Sequence, residues 1–205
     1  VTQMAEEVRE MPVATTVRLI MIMTALTFVP ALLLVMTPFT RFIIVFSMLR
    51  QALGLQQAPP NQVLIGLALF MSALVMQPTL SEVNERALQP YMAGEMDTTV
   101  AIEKALEPMR RFMLSNTRRD DISAVMNMGR MPAPETLADI PTTAVVSAFV
   151  LSELKTAFVI AVKVYLPFLV IDIVIANVLL SMGMMVLPPV IISLPFKLML
   201  FVLMD

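Results

Sequence analysis

The sequence has no cysteine, no histidine and no tryptophan. Without cysteine or histidine it holds no thiolate nucleophile, no disulfide, no zinc site of the usual donor set and no imidazole base. Five glycines (Gly54, Gly66, Gly94, Gly129 and Gly183) stand singly, so no glycine-rich loop that cradles a phosphate can be written. Charge is scarce as well, at 15% of 205 residues, and the formal net charge of −2 gives no basic footprint for nucleic acid. Asp120 and Asp121 have no metal-ligand spacing with other carboxylates, so neither enzyme activity, a metal nor a cofactor is expected.

What the chain has in excess is apolar surface. Hydrophobic residues make up 58% of it, and its mean hydropathy is +0.83. Soluble domains hold about 45–50% apolar residues and about 25% charged ones. That surplus cannot be hidden inside one 22.7 kDa domain, which excludes a soluble monomer.

Charge divides the chain into three parts. Residues 77–143 carry 17 of the 30 charged side chains, whereas Leu19–Thr40, Gln51–Ser81 and Ile173–Phe196 carry none. The pattern reads as membrane, polar insert, membrane. It gives an N-terminal segment (1–16), a first apolar helical pair (17–76), a polar helical insert (77–143) and a second apolar hairpin (144–205). The fold class expected is all-α, with kinked membrane helices assembling into a helical complex.

A span of about 30 Å needs roughly 20 helical residues, which Val17–Met36 supplies. Val63–Met76 is short by that rule, being bounded by Pro59–Pro60 and Pro78. Ala157–Leu180 is long enough but contains Lys163, Pro167, Asp172 and Asn177. Met184–Met204 contains Pro188, Pro189, Pro195 and Lys197. Prolines free backbone carbonyls that lipid cannot satisfy, so such helices suit burial against other chains. Thr37–Gln62, with Arg41 and Arg50 and no acid, reads as a cytoplasmic loop, which puts the N-terminus and the insert outside. In the insert, Ala101–Leu114 reads as an amphipathic helix kinked at Pro108, Asp120–Met128 as a shorter helix, and Met131–Pro141 as a loop. No targeting segment is expected ahead of Val17.

Ionisable groups at membrane depth are functional candidates by default. Lys163 and Asp172, nine residues apart, point to opposite faces of a helix, and Lys163 can snorkel. Asp172 and Lys197 are centred on residues 184–185, where Gly183 and Pro188–Pro189 break the chain. An antiparallel hairpin turning there brings them to one depth, either as a self-neutralising pair or as a proton site. Met182-Gly183-Met184-Met185 sits at the same turn. Three Met in four residues are expected about once by chance in a chain with 20 of them. Placement rather than composition therefore singles the cluster out, because unbranched polarizable side chains conform to differing surfaces. Arg110, Arg111, Arg118 and Arg119 read as a solvated face with local ion pairs, with Arg118, Glu153 and Lys155 able instead to hold a neighbouring subunit.

Five strings then become informative together: MTPFTRFIIVFSMLRQALG (36–54), APPNQVLIGLALF (58–70), SELKTAF (152–158), LPFLVIDIVIANVLLSMGMM (166–185) and LPFKLMLFVL (194–203). In this order they resemble the FliP family of type III secretion export gate proteins, which includes the injectisome homologue SctR. The resemblance spans about residues 15–205. It implies a subunit of the bacterial flagellar protein export gate, at the inner membrane within the basal body, with a periplasmic insert. It also implies the partners: further copies of itself (pentameric in the family), FliQ- and FliR-like subunits, FlhB- and FlhA-like export proteins, and unfolded exported proteins. Carried onto this chain, the pore gasket comprises Met182, Met184 and Met185 at the turn formed by Gly183, Pro188 and Pro189. Asp172, Lys197, Arg118, Arg41, Glu153 and Lys155 match charges used in assembly. Relatives often have a third consecutive Met where this chain has Val186, continue past residue 205 into a helical tail, and carry a cleaved signal peptide. A proton-coupled transporter working through Asp172 and an SctR-type injectisome subunit are the alternatives.

Overall fold

A computed structural model describes residues 13–55, 57–132, 134, 136–184 and 188–203, all of them helix or short connection. The elements are α1 (Val13–Val35), α2 (Phe39–Ala52), α3 (Asn61–Val83), a π turn (Asn84–Leu88), α4 (Gln89–Met92), α5 (Thr98–Asn116), α6 (Arg119–Met128), α7 (Thr142–Ser181) and α8 (Pro189–Leu203). Among the described residues there is no strand, as expected from apolar runs that never alternate.

Proline punctuates helix starts more than it breaks helix interiors. Pro38, Pro60 and Pro141 immediately precede α2, α3 and α7, and Pro189 opens α8. There the missing N–H is one of the four donors a helix leaves unpaired anyway. Pro30, Pro78, Pro108, Pro167 and Pro195 lie inside helices that continue through them.

Three boundaries differ from the sequence reading. The second apolar segment does not end before Pro78: a continuous helical run of 32 residues, Asn61–Met92, is long and apolar enough to cross a membrane. One internal proline removes one hydrogen bond, which a long apolar helix tolerates. Ahead of Pro90 the helix widens into the π turn, making room for a ring that would otherwise meet the Arg86 carbonyl. Similarly, α7 starts fifteen residues before Ala157 and runs for 40 residues. Finally, Thr37–Gln62 is not a loop, because its first half is the 14-residue α2.

Two cores hold these helices. Met36, Met76, Met109, Met113 and Met126 pack with Ile122, Ile140, Ala144, Val145, Ala148 and Phe149, joining the end of α1 and α3 to the insert and to the start of α7. Phe112 meets Phe149 edge to face at 6.0 Å. The five methionines fill irregular gaps between helices of differing direction, the packing use of Met expected for most of the twenty. Ala52, Leu53 and Phe168 form the second core, where the end of α2 sits against α7 and α8. Most other apolar side chains are exposed, including Met23, Leu26, Phe70, Val170 and Val202. That exposure belongs to a membrane protein or to a subunit of a larger assembly.

The first core also corrects the orientation. Met36, at the end of α1, packs among insert residues, so the start of α1 lies at the end remote from the insert rather than beside it. Arg41 is likewise at the insert end. Arg50, which donates to Asn61 at the start of α3, stands at the opposite end.

Candidate functional site

Two polar joints interrupt the apolar framework, and both lie on α7. The first is its turn Ser152–Thr156. Glu153 is 2% exposed and receives two hydrogen bonds from Arg41 of α2, Nε to Oε2 at 2.6 Å and Nη2 to Oε1 at 2.5 Å. This planar two-point geometry is the strong form of an Arg–carboxylate pair. Two residues on, the Lys155 ammonium pairs with Oδ1 of Asp121, whose side chain is fully buried at the start of α6. Oδ2 of Asp121 has no partner among the described residues. Ser152 accepts the Arg118 backbone N–H at 3.2 Å, and Thr156 accepts from the Arg118 guanidinium at 3.3 Å. Five consecutive residues, SELKT, thereby tie α2, α6 and α7 together. Glu153 and Lys155 both find partners within the chain, and Arg118 is exposed and also contacts α7.

The second joint is Asp172. Lys197 donates to its Oδ2 at 2.7 Å and the Ser193 hydroxyl to its Oδ1 at 2.6 Å. Lys197 is 2% exposed, Asp172 26%. The structure brings Asp172 and Lys197 together by an antiparallel pairing of α7 and α8, and it adds Ser193, a lone hydroxyl in an apolar run that no spacing argument had marked. Lys163 is exposed and takes no part in either joint.

Beyond Asp172 the hairpin reaches its turn. Gly183 adopts φ +73°, a conformation that disfavours any residue with a Cβ, and its N–H bonds to the Leu180 carbonyl at 3.1 Å. Met182 and Met184 flank it, 64% and 45% exposed. Pro188 is exposed and Pro189 begins α8. Met185 and Val186 lie outside the described residues.

The basic cluster of the insert separates into distinct roles. Arg110 is half-buried and donates to the carbonyls of Leu137, Ala138 and Ile140 and to the Thr142 hydroxyl, clamping the loop ahead of α7. Arg111 pairs with Glu82 at 3.0 Å and Glu107 at 3.3 Å on the surface. In the same loop the Thr136 hydroxyl and N–H donate to Asp139 Oδ2, and those bonds hold its carboxyl below the usual range. Asp97 is lowered for the same reason, through Thr99 and then the Thr98 N–H. No three acidic side chains among the described residues converge as metal ligands.

Known proteins match nearly the whole chain. The profile described as the FliP family matches residues 22–205. The flagellar biosynthetic protein FliP of Bacillus subtilis (strain 168) is 52% identical over 193 residues, covering 94% of this chain and 87% of its own length. That of Pectobacterium carotovorum subsp. carotovorum is 50% identical, covering 92% and 73%, and that of Caulobacter vibrioides 47%, covering 92% and 71%. Three apolar helical runs of membrane-crossing length among the described residues make the chain a membrane protein, and a match that takes in both joints and the turn between α7 and α8 makes it a member of the FliP family.

Proposed function

We propose that this chain is a pore-forming subunit of the bacterial flagellar type III protein export gate, in which the turn between α7 and α8 supplies the seal. The observation that carries the reading is the combination at that turn. Exposed, flexible Met182 and Met184 stand on a left-handed glycine, at the end of a hairpin fixed one layer back by Asp172, Ser193 and Lys197. A rigid base with conformable apolar tips suits a closure that must fit itself when empty and an unfolded polypeptide in transit. Met185 belongs to the same turn by sequence. Flagellar rather than injectisome membership is supported by relatives named as flagellar biosynthetic proteins.

In this reading the chain assembles with further copies of itself, with FliQ- and FliR-like subunits and with FlhB- and FlhA-like export proteins at the inner membrane. The insert lies on the periplasmic side. Arg50 then falls at the cytoplasmic end, in keeping with the bias of short loops toward basic residues there. The prolines and buried charges, costly in lipid, are covered by neighbouring subunits. The same reading assigns the chain no catalytic step.

The test replaces Met184 and Met185 with Ala. The complex should still form, and small-ion conductance across a planar bilayer should rise. An unchanged conductance in a fully assembled complex would sink the seal. A proton site at Asp172 is the competing reading: there Asp172→Asn abolishes coupling to the motive force while sparing assembly. The two donors on Asp172 favour a structural pair, for which Asp172→Asn impairs assembly and neutralising Lys197 as well restores it.

A further inference from the structure

The end of α2 touches the hairpin that carries the methionines, and it does so at a glycine. Gly54 closes α2 with φ +76°, its N–H bonded to the Gln51 carbonyl at 2.9 Å and the Leu55 N–H to that of Arg50 at 3.1 Å. A Cβ added to Gly54 would lie 3.0 Å from Val190 Cγ1 and 3.8 Å from Lys197 Nζ. Val190 is the second residue of α8, and Lys197 is the buried cation of the second joint. The α2 turn therefore seats its bare backbone against α8 between the Met-rich turn and the ion pair. Ala52 and Leu53, buried beside Phe168, hold that turn in place from the other side.

We propose that Gly54 is a positioning residue for the Met-rich turn: the absence of a side chain there sets how closely α8 approaches α2, and so where Met182 and Met184 stand. The proposal rests on reading the turn as the seal, but it is a statement about distance that can be measured separately. A methyl group 3.0 Å from Val190 must be relieved to an ordinary carbon contact of about 3.5–4.0 Å. The start of α8 is the freer party, because Val190 is exposed whereas Ala52 and Leu53 are locked in a core.

The sequence contains no cysteine, which makes the measurement direct. Gln57→Cys and Met184→Cys, spin-labelled and assembled in full complexes diluted with unlabelled chain, report the separation of the α2–α3 loop from the turn. Gly54→Ala should lengthen it by roughly 1 Å, and adding Val190→Ala should restore it. Restoration is the discriminating result, because the double variant keeps the backbone strain at φ +76° and loses only the collision. A distance that Gly54→Ala leaves unchanged, or a change that Val190→Ala fails to reverse, overturns the proposal. If Gly54→Ala alone prevents assembly, the double variant decides by the same logic: recovered assembly supports the collision, and continued failure overturns it. The seal itself is read separately, from cross-linking of the single Met184→Cys variant between copies. Loss of that cross-link with the distances behaving as stated removes the seal and leaves the positioning role intact.

Discussion

The Arg41–Glu153 pair makes an asymmetric prediction. Glu153 is 2% exposed and Arg41 26%, so the two partners differ in what each leaves behind when the other is removed. Arg41→Met strands a carboxylate in a buried site, which costs about 3–5 kcal/mol. Glu153→Gln keeps the shape and one acceptor, and strands a guanidinium that already reaches solvent. Its cost is that of a charge-assisted hydrogen bond weakened to a neutral one, about 1–2 kcal/mol. For a chain of this size each kcal/mol moves the midpoint by roughly 2–4 °C. Thermal unfolding of the detergent-solubilised complex, followed by circular dichroism, should thus fall by roughly 6–20 °C for Arg41→Met and roughly 2–8 °C for Glu153→Gln. The double variant Arg41→Met, Glu153→Leu should recover most of the loss, because a buried pair replaced by apolar groups of similar volume is often neutral. Equal losses for the two single variants, or a double variant no better than Arg41→Met, would refute the assignment of the burial cost to Glu153.

Three further outcomes follow from the same geometry. Arg110→Ala releases the carbonyls of Leu137, Ala138 and Ile140, so hydrogen exchange over residues 136–142 should accelerate while that of α6 does not; uniform acceleration across the insert would show a general collapse instead. Asp139 has its folded pKa depressed below the usual 3.8 by Thr136, so its contribution to the loop is present above 3.8 and lost as pH falls through the lower folded value. An NMR titration of the Thr136 amide should show this, and Asp139→Asn should abolish it. At the second joint the buried partner is the cation, so Asp172→Asn, which strands Lys197, should lower the thermal midpoint of the complex more than Lys197→Met, which leaves Asp172 with Ser193 and partial solvent. The reverse order would place the cost on the carboxylate.

How much of this was legible in the chain depended on whether the information was local. Asp172 and Lys197 could be paired in advance because a hairpin pairs residues symmetrically about its turn, and Gly183 with Pro188–Pro189 marked the turn. Arg41 could not be paired, since its partner lies 112 residues away. Two arginines without acids make Thr37–Gln62 read as a cytoplasmic loop, whereas one of them is neutralised by Glu153 and the other donates to Asn61 and the Pro59 carbonyl. Pro78 reads as a terminator because local rules count the lost hydrogen bond and not the tertiary packing that outweighs it. Ser193 carried no signal, one hydroxyl among apolar neighbours being unremarkable until Asp172 is placed beside it.

The length of α7 explains why both joints are needed. Forty residues rising 1.5 Å each make about 60 Å, twice a hydrocarbon core of about 30 Å. Fitting that length by tilt alone would take about 60°, beyond the 0–40° over which membrane helices are found. A helix this long must run well outside the hydrocarbon or be sheathed by other protein. Glu153 and Asp172 are 19 residues apart, about 29 Å along a regular helix, so the two joints bracket a stretch close to one bilayer thickness. Between them stand two lysines, Lys155, which belongs to the first joint, and Lys163. On the insert side α7 is held to α2 by Arg41 and to α6 by Asp121; on the other side it is held to α8 by Lys197. Outside each joint the helix continues for roughly ten residues, into the methionine core in one direction and into the Met182–Met184 turn in the other. Each joint sits where the helix passes from one packing environment to the next, and a charge paired across that point fixes register where apolar contacts, being non-directional, would let the helices slide.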